Sequence, residues 1–226
     1  MKQIKHHLPA RQHLPIKHHL NDALLMGYSA GTLPEAFNLV VATHISVCDD
    51  CRARMHSFDA IGGEVVSALG KQELAEGSFA ATLALIAQQR AEPPKGAAAG
   101  GIFPAPLRDY VGGDLDAVKW RRVGGGVSQA LLKTRDAATV RLLRIPGGVA
   151  VPDHGHRGLE LTLVLQGAFS DATDRFARGD VEIADEDLVH KPVAEAGLDC
   201  ICLAATDAPL RFSHLVPRLV QSIFRI

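Results

Sequence analysis

The sequence predicts two folded units in series, an all-α unit toward the N-terminus and an all-β barrel or sandwich toward the C-terminus. Three observations carry this. Over residues 21–90, a stretch rich in Ala, Leu, Glu and Gln, apolar residues recur every three or four positions, the period of a helix with one buried face. From residue 139 onward come short β-branched and apolar runs, at 139–145, 160–166 and 199–206, each bounded by Gly, Pro or Asp. Between the two patterns lies EPPKGAAAGGIFPAP, in which proline fixes the backbone and removes amide donors while alternating with glycine. The expected boundaries are an N-terminal extension over 1–18, a helical unit over 19–90, a linker over 91–107 and a β unit over 108–226. A chain of 226 residues suits two cores of about 100 residues each.

In the helical stretch, Ala23, Leu24 and Leu25 open the pattern and Phe37, Val40 and Val41 continue it. Thr32 and Pro34 ahead of Glu35 read as a helix start, with the Thr32 hydroxyl as cap and Pro34 in the first turn. A third helix is expected from about Asp50 through the 60s, weakened by Gly62 and Gly63, and a last one over 72–89 carrying Leu74, Phe79, Leu83 and Ile86. If these helices are left partly uncovered, Leu25, Met26, Leu39 and Val40 are apolar positions to offer a partner, with core packing the alternative for each. In the β unit, Gly124-Gly125-Gly126 precedes Val127-Ser128 rather than the Lys-Ser or Lys-Thr of a phosphate loop, so it reads as a hairpin turn. Phe103 and Trp120 read as core or linker-docking residues.

Bulk properties exclude several classes. A formal net charge of −1 argues against direct nucleic-acid binding, which calls for a basic excess. The first nineteen residues hold basic charge and histidines but no apolar run long enough for a secretory signal or a membrane span, so the expectation is a soluble cytoplasmic protein without a membrane partner. Four cysteines fall in two close pairs, Cys48 with Cys51 and Cys200 with Cys202. In a reducing compartment that suggests metal or redox chemistry before disulfides.

The first pair belongs to the segment HISVCDDC, in which His44, Cys48 and Cys51 have the spacing H-x3-C-x2-C. On a helix His44 and Cys48 share a face and Cys51 lies one turn on, so an imidazole and two thiolates converge. Zinc suits such a set, and a structural zinc site takes four ligands. His19, just before the first helix, supplies the fourth if that helix folds back on the second. His18, His7 and His6 are alternatives, because Ile4-Lys5-His6-His7-Leu8 recurs as Ile16-Lys17-His18-His19-Leu20. The competing interpretation makes both cysteines small core residues and His44 a hydrogen-bonded polar group.

The C-terminal half holds a second constellation. Gly148, His154, His156, Glu160 and Gly167 match G-x5-H-x-H-x3-E-x6-G, the first motif of the cupin barrels. In strands these side chains share one parity and aim inward. In the second motif, G-x5-P-x-G-x2-H-x3-N, counting from Gly179 places His190 at the histidine, while Asp185, Asp187 and Ala194 replace the usual Pro, Gly and Asn. Three imidazoles and a carboxylate suit zinc, iron, manganese or nickel without deciding among them. The expected β unit is therefore a cupin, a double-stranded β-helix or jelly roll. Cys200 and Cys202 share a strand face; turned inward, they would lie near the metal as oxidisable thiols, or pack as small hydrophobes.

Residues 18–25 (HHLNDALL), 28–33 (YSAGTL), Ala36-Phe37 and 40–53 (VVATHISVCDDCRA) resemble the zinc-binding anti-sigma domain of the ChrR family, and with the cupin the resemblance covers nearly the whole chain after residue 18. It implies zinc on His19, His44, Cys48 and Cys51, and a helical domain that binds a group IV (ECF-type) sigma factor. It also implies a metal on His154, His156, Glu160 and His190, in a cupin domain needed for the response to oxidative signals such as singlet oxygen or an organic peroxide. The expected role is a transcriptional regulator rather than an enzyme. The extension with its duplicated IKHHL departs from the family pattern. The alternative is a metal-dependent cupin enzyme, a dioxygenase or isomerase with an appended helical assembly domain, although no separate acid or base accompanies the ligands. A zinc-finger DNA-binding protein is a third reading, opposed by the neutral charge and the lack of a basic recognition helix.

Overall fold

The computed structural model describes residues 15–88, 101–135 and 137–209, and the backbone of 211–212. Five helices, α1 (Asp22–Ser29), α2 (Glu35–Ile45), α3 (Asp49–Ser67), α4 (Ser78–Gln88) and α5 (Ala105–Val111), precede twelve strands. The order is helical bundle first and cupin-like β domain second, as the two hydrophobic periods predict.

Local chemistry sets the helix ends. The Asn21 side chain caps α1 by accepting from the Leu24 amide at 2.9 Å. Pro34, rather than Thr32, is the N-cap residue of α2, and no side chain caps it. The Thr32 hydroxyl donates instead to the Gly27 carbonyl at 3.2 Å, which also accepts the Thr32 amide at 2.9 Å at the end of α1. The Cys48 sulfur caps α3, accepting from the Cys51 amide at 3.5 Å. Helix α4 starts at Ser78, six residues later than the apolar spacing predicts. The preceding Gly77 holds φ +79, a left-handed value that helix interiors exclude.

The β domain is built from β1 (Arg121–Gly124), β2 (Val127–Leu132), β3 (Thr139–Ile145), β4 (His154–Gly155), β5 (Glu160–Gln166), β6 (Ala168–Ser170), β7 (Arg175–Ala177), β8 (Val181–Ala184), β9 (Val189–His190), β10 (Val193–Ala194), β11 (Cys200–Thr206) and β12 (Arg211–Phe212). Six of them form one sheet in the order β1-β2-β3-β11-β5-β8. Two three-stranded sheets, β10-β6-β7 and β12-β4-β9, complete the barrel. The triple glycine makes the β1–β2 hairpin, with positive φ at all three residues. His154 pairs directly with His190 across β4 and β9.

Two hydrophobic cores share the six-stranded sheet. The inner one, within the barrel, joins Val127, Ile145, Val164, Phe169 and Phe176 to Cys200 and Cys202. The outer one joins Val140 and Leu142, Leu161, Leu163 and Leu165, and Ile201 and Leu203 to Leu24, Leu25, Phe37, Val40 and Val41 of the helices. Strand β11 is buried at every position, and β5 at every position but its last. That is why their sequences read as continuous apolar runs rather than alternations: one face fills the barrel and the other receives α2. Phe103 is buried and α5 packs on α2 through the fully buried Leu107, so residues from 101 on, within the expected linker, are folded against the helices. Trp120 is half-buried against the outer core.

Of the four apolar residues considered for display to a partner, Leu25, Leu39 and Val40 belong to this outer core, and Met26 alone is exposed. Beyond residue 59 of α3, and along α4, the apolar side chains are uncovered. The Phe37→Ala substitution is expected to lower stability by about 3–5 kcal/mol. Far-UV circular dichroism and Trp120 fluorescence should report one shared shift in denaturant midpoint. Separate transitions would mean that the helices and the sheet do not share a core.

Candidate metal centres

The segment before α1 and the corner between α2 and α3 build the first site. Ligand atoms of His19, His44, Cys48 and Cys51 all lie within 4.8 Å of one another. His19 Nδ1 is 3.3 Å from Cys48 Sγ and 3.6 Å from Cys51 Sγ. His44 is fully buried; its Nδ1 donates to the Gly179 carbonyl at 2.9 Å, and its Nε2 has no hydrogen-bond partner among the described residues. Burial pushes the His44 imidazole down to about 4, only partly opposed by the Gly179 bond, so the ring is neutral with its free lone pair on the side of the thiols. Burial also pushes the Cys51 thiol up to about 11, a cost that a bound cation would reverse. An orphaned buried nitrogen beside two sulfurs and a second imidazole fits a tetrahedral zinc site in donor type and number.

The structure separates His18 from His19. The His18 ring packs on Phe176 at a centroid distance of 4.4 Å and approaches Asp174 at 3.5 Å, away from the sulfurs, as alternation along an extended segment requires. Main-chain bonds hold that segment. The amides of Lys17 and His18 donate to Asp180 Oδ1 at 2.7 and 3.0 Å, and the Val181 amide donates to the His18 carbonyl at 3.2 Å. His6 and His7 lie outside the described residues.

The second site sits in the barrel. His154, His156 and His190 converge through their Nε2 atoms, with His190 at 3.2 Å from His154 and 3.3 Å from His156. His154 Nδ1 donates to the Pro152 carbonyl at 2.8 Å, which leaves its Nε2 for a ligand role. Glu160 stands at one side. Its carboxylate accepts from Thr162 at 3.1 Å and lies 3.9 Å from His156 Nδ1, outside the tight three-imidazole group. Sequence reasoning missed the acids behind His190: its Nδ1 is 2.8 Å from Asp171 and 3.1 Å from Glu182. Burial pushes Glu182 up to about 7. Burial also opposes ionisation of Asp171, but hydrogen bonds, chiefly from Thr173, hold its carboxyl well below the usual range. Burial disfavours the charged His190 ring, yet the bonds to Glu182 and Asp171 raise it to about 9. A carboxylate behind an imidazole fixes the tautomer and raises ligand basicity. The donor set fits a divalent cation without choosing one. The signal available for Glu182 was its position three residues after Gly179; for Asp171 there was none.

Cys200 and Cys202 face inward with sulfurs 3.5 Å apart. The bond to Cys200, together with burial, raises the Cys202 thiol, which favours the packed reading at rest.

Cys51→Ser and His19→Ala are each expected to lower the metal content of the purified chain by about one equivalent and to lower its melting temperature. His18→Ala is expected to change neither. Plasma emission spectrometry and a thermal melt test this; an unchanged metal content in Cys51→Ser would refute the site.

Residues 109–208 match the family described as the ChrR Cupin-like domain. The anti-sigma-E factor ChrR of Cereibacter sphaeroides is 61% identical over 213 residues, spanning 94% of this chain and 100% of that protein. The crystal structure of Rhodobacter sphaeroides SigE in complex with the anti-sigma ChrR matches at a TM-score of 0.75 and 60% identity, covering 85% of this chain and 99% of that one. With identity this high over the whole of a relative, and the helices, histidine–cysteine cluster and cupin barrel in one chain, the protein belongs to the ChrR family of anti-sigma factors.

Proposed function

We propose that this chain is a cytoplasmic anti-sigma factor, in which residues 19–90 sequester an ECF-type sigma factor and the cupin unit, 108–226, governs release in response to an oxidative signal. The observation that carries this reading is the full-length kinship with an anti-sigma factor solved in complex with its sigma factor. The geometry supplies a place for such a partner. Ile61, Val65 and Val66 on α3 are each more than 60% exposed, and Phe79, Leu83 and Ile86 on α4 are 73%, 49% and 61% exposed. The last three fall at i, i+4 and i+7, one face of a helix. An eleven-residue helix is marginal alone in water, and clustered apolar exposure marks a partner surface.

The reading assigns zinc to His19, His44, Cys48 and Cys51, and a divalent metal, zinc or one of iron, manganese and nickel, to His154, His156 and His190 with Glu160 beside them. Zinc in the first site would contribute a cross-link worth about 10–16 kcal/mol in small zinc domains. The chain's own residues link the two sites. Glu182 on β8 holds His190, and three residues earlier, in the turn that leads into β8, Gly179 holds His44. Asp180 between them holds the segment that carries His19. A rearrangement at His190 therefore displaces the turn on which the helical unit rests, and the population moves toward a form that holds the partner less tightly. Among the described residues no helix is long and apolar enough to cross a membrane, and the buried free cysteines fit a reducing compartment.

Affinity capture of an ECF-type sigma factor on the full chain tests the reading. Retention is expected for the wild type, a loss of about tenfold or more in the Phe79→Asp/Leu83→Asp double variant at unchanged melting temperature, and loss in Cys51→Ser. In His154→Ala, retention is expected to persist while peroxide or singlet oxygen no longer releases the partner. Capture of no sigma factor, or equal capture by the double variant, would reject the reading.

A further inference from the structure

The barrel contains a charge that neither metal site uses. Arg141, on β3, is only 5% exposed. Its Nη2 donates to Thr139 Oγ1 at 3.1 Å, and its Nη1, also buried, has no hydrogen-bond partner among the described residues. Arginine keeps its proton in proteins, so a full positive charge stands inside the fold. The acid whose charge acts on it is Glu160, which forms no ion pair with it among the described residues and accepts from the Thr162 hydroxyl at 3.1 Å instead. A buried cation without a bound counter-charge is costly, and an apolar residue of similar length is often as stable or more so. Packing alone does not account for an arginine here.

Arg141 lines a cavity of about 300 Å³ that it shares with His154, Glu160 and His190. The rest of the wall is largely apolar, including Val127, Leu143, Ile145, Val151 and Phe169. On β11, the residue paired with Arg141 is Ala204, and Thr162 of β5 pairs with Ala204 in turn, so small side chains leave open the space beside the guanidinium. The volume is at the lower end of those that house small organic ligands.

We propose that this cavity is a binding site for a small monocarboxylic acid, whose carboxylate pairs with the Arg141 guanidinium and whose apolar body packs against Val127, Leu143, Ile145 and Phe169. The planar fork of arginine matches a carboxylate with two parallel hydrogen bonds. A single negative charge balances a single guanidinium, whereas a phosphate dianion would bring a second charge against Glu160 and Glu182. Occupancy beside His154 and His190 would make the metal-bearing end of the barrel sensitive to an organic acid. The site does not depend on which partner the helices bind.

Calorimetric titration of the full-length, metal-loaded chain with hexanoate and with hexanamide, its neutral counterpart, tests the proposal. Saturable binding of hexanoate is expected, at least about tenfold tighter than hexanamide. Arg141→Met is expected to abolish that preference while keeping metal content and melting temperature, and Arg141→Lys to keep part of it. Equal affinity for acid and amide in the wild type would mean an apolar cavity only. Absence of saturable hexanoate binding would overturn the proposal as well. A preference that persists in Arg141→Met but disappears on chelation would place the carboxylate on the histidine cluster and refute the role of Arg141.

Discussion

The hydrogen bond from His44 Nδ1 to the Gly179 carbonyl, 2.9 Å long, is the interaction on which the rest of the structure depends. It fixes the tautomer of a buried neutral imidazole so that Nε2 faces two thiols and a second histidine. It also fastens the α2–α3 corner to the β7–β8 turn of the barrel. Gly179 holds φ +95, and a Cβ there would come within 2.7 Å of Ile16. Both the backbone angle and the close approach demand glycine. Asp180 next to it is buried, and its carboxylate accepts three backbone amides, from Lys17, His18 and Ala177. One turn thus positions a ligand on each of two segments distant in sequence.

This arrangement explains why a small helical unit holds together. Helix α2 buries most of its length, whereas α1 buries only Leu24 and Leu25 and α3 only Cys51. They rely on the histidine–cysteine cluster on one side and on the outer face of the six-stranded sheet on another. Small cores of this size need such support. What they leave uncovered, the far half of α3 and all of α4, is the surface available to a partner. In the barrel, polar groups are concentrated on the inner wall, where two imidazoles, two acids and one arginine line a largely apolar space. Buried polar groups of this kind lower stability unless paired, so their accumulation marks the inner wall as a place for ligands.

Much of this was legible in the sequence because the chemistry imposes spacing. H-x3-C-x2-C needs a helical corner, and the structure bends the chain there, ending α2 at Ile45 and starting α3 at Asp49. The cupin spacing put His154 and His156 on one parity, and Gly179 located His190 despite the missing Pro, Gly and Asn. The choice between His18 and His19 required three dimensions, because only the contacts of Ile16 and His18 with the barrel decide which way an extended segment alternates. Asp171 was illegible because acids that orient a ligand carry no fixed spacing from it, and Glu182 offered only its place three residues after Gly179. Thr32 misled as a cap because α2 begins at Glu35 with Pro34 in the cap position, which leaves Thr32 two residues outside it. The apolar residues of α2 gave no sign of whether a bundle or a sheet would cover them; periodicity reports a buried face and is silent on what buries it.

The central claim is that Gly179 turns His44 so that its Nε2 meets two thiolates and His19 around one cation. Zinc K-edge absorption on the full chain carrying His154→Ala and His156→Ala, which confines the metal to the N-terminal site, tests this most directly. The account predicts a coordination sphere of two sulfurs at about 2.3 Å and two imidazole nitrogens at about 2.0–2.1 Å. A sphere without sulfur, or with oxygen in place of the His44 nitrogen, would contradict it.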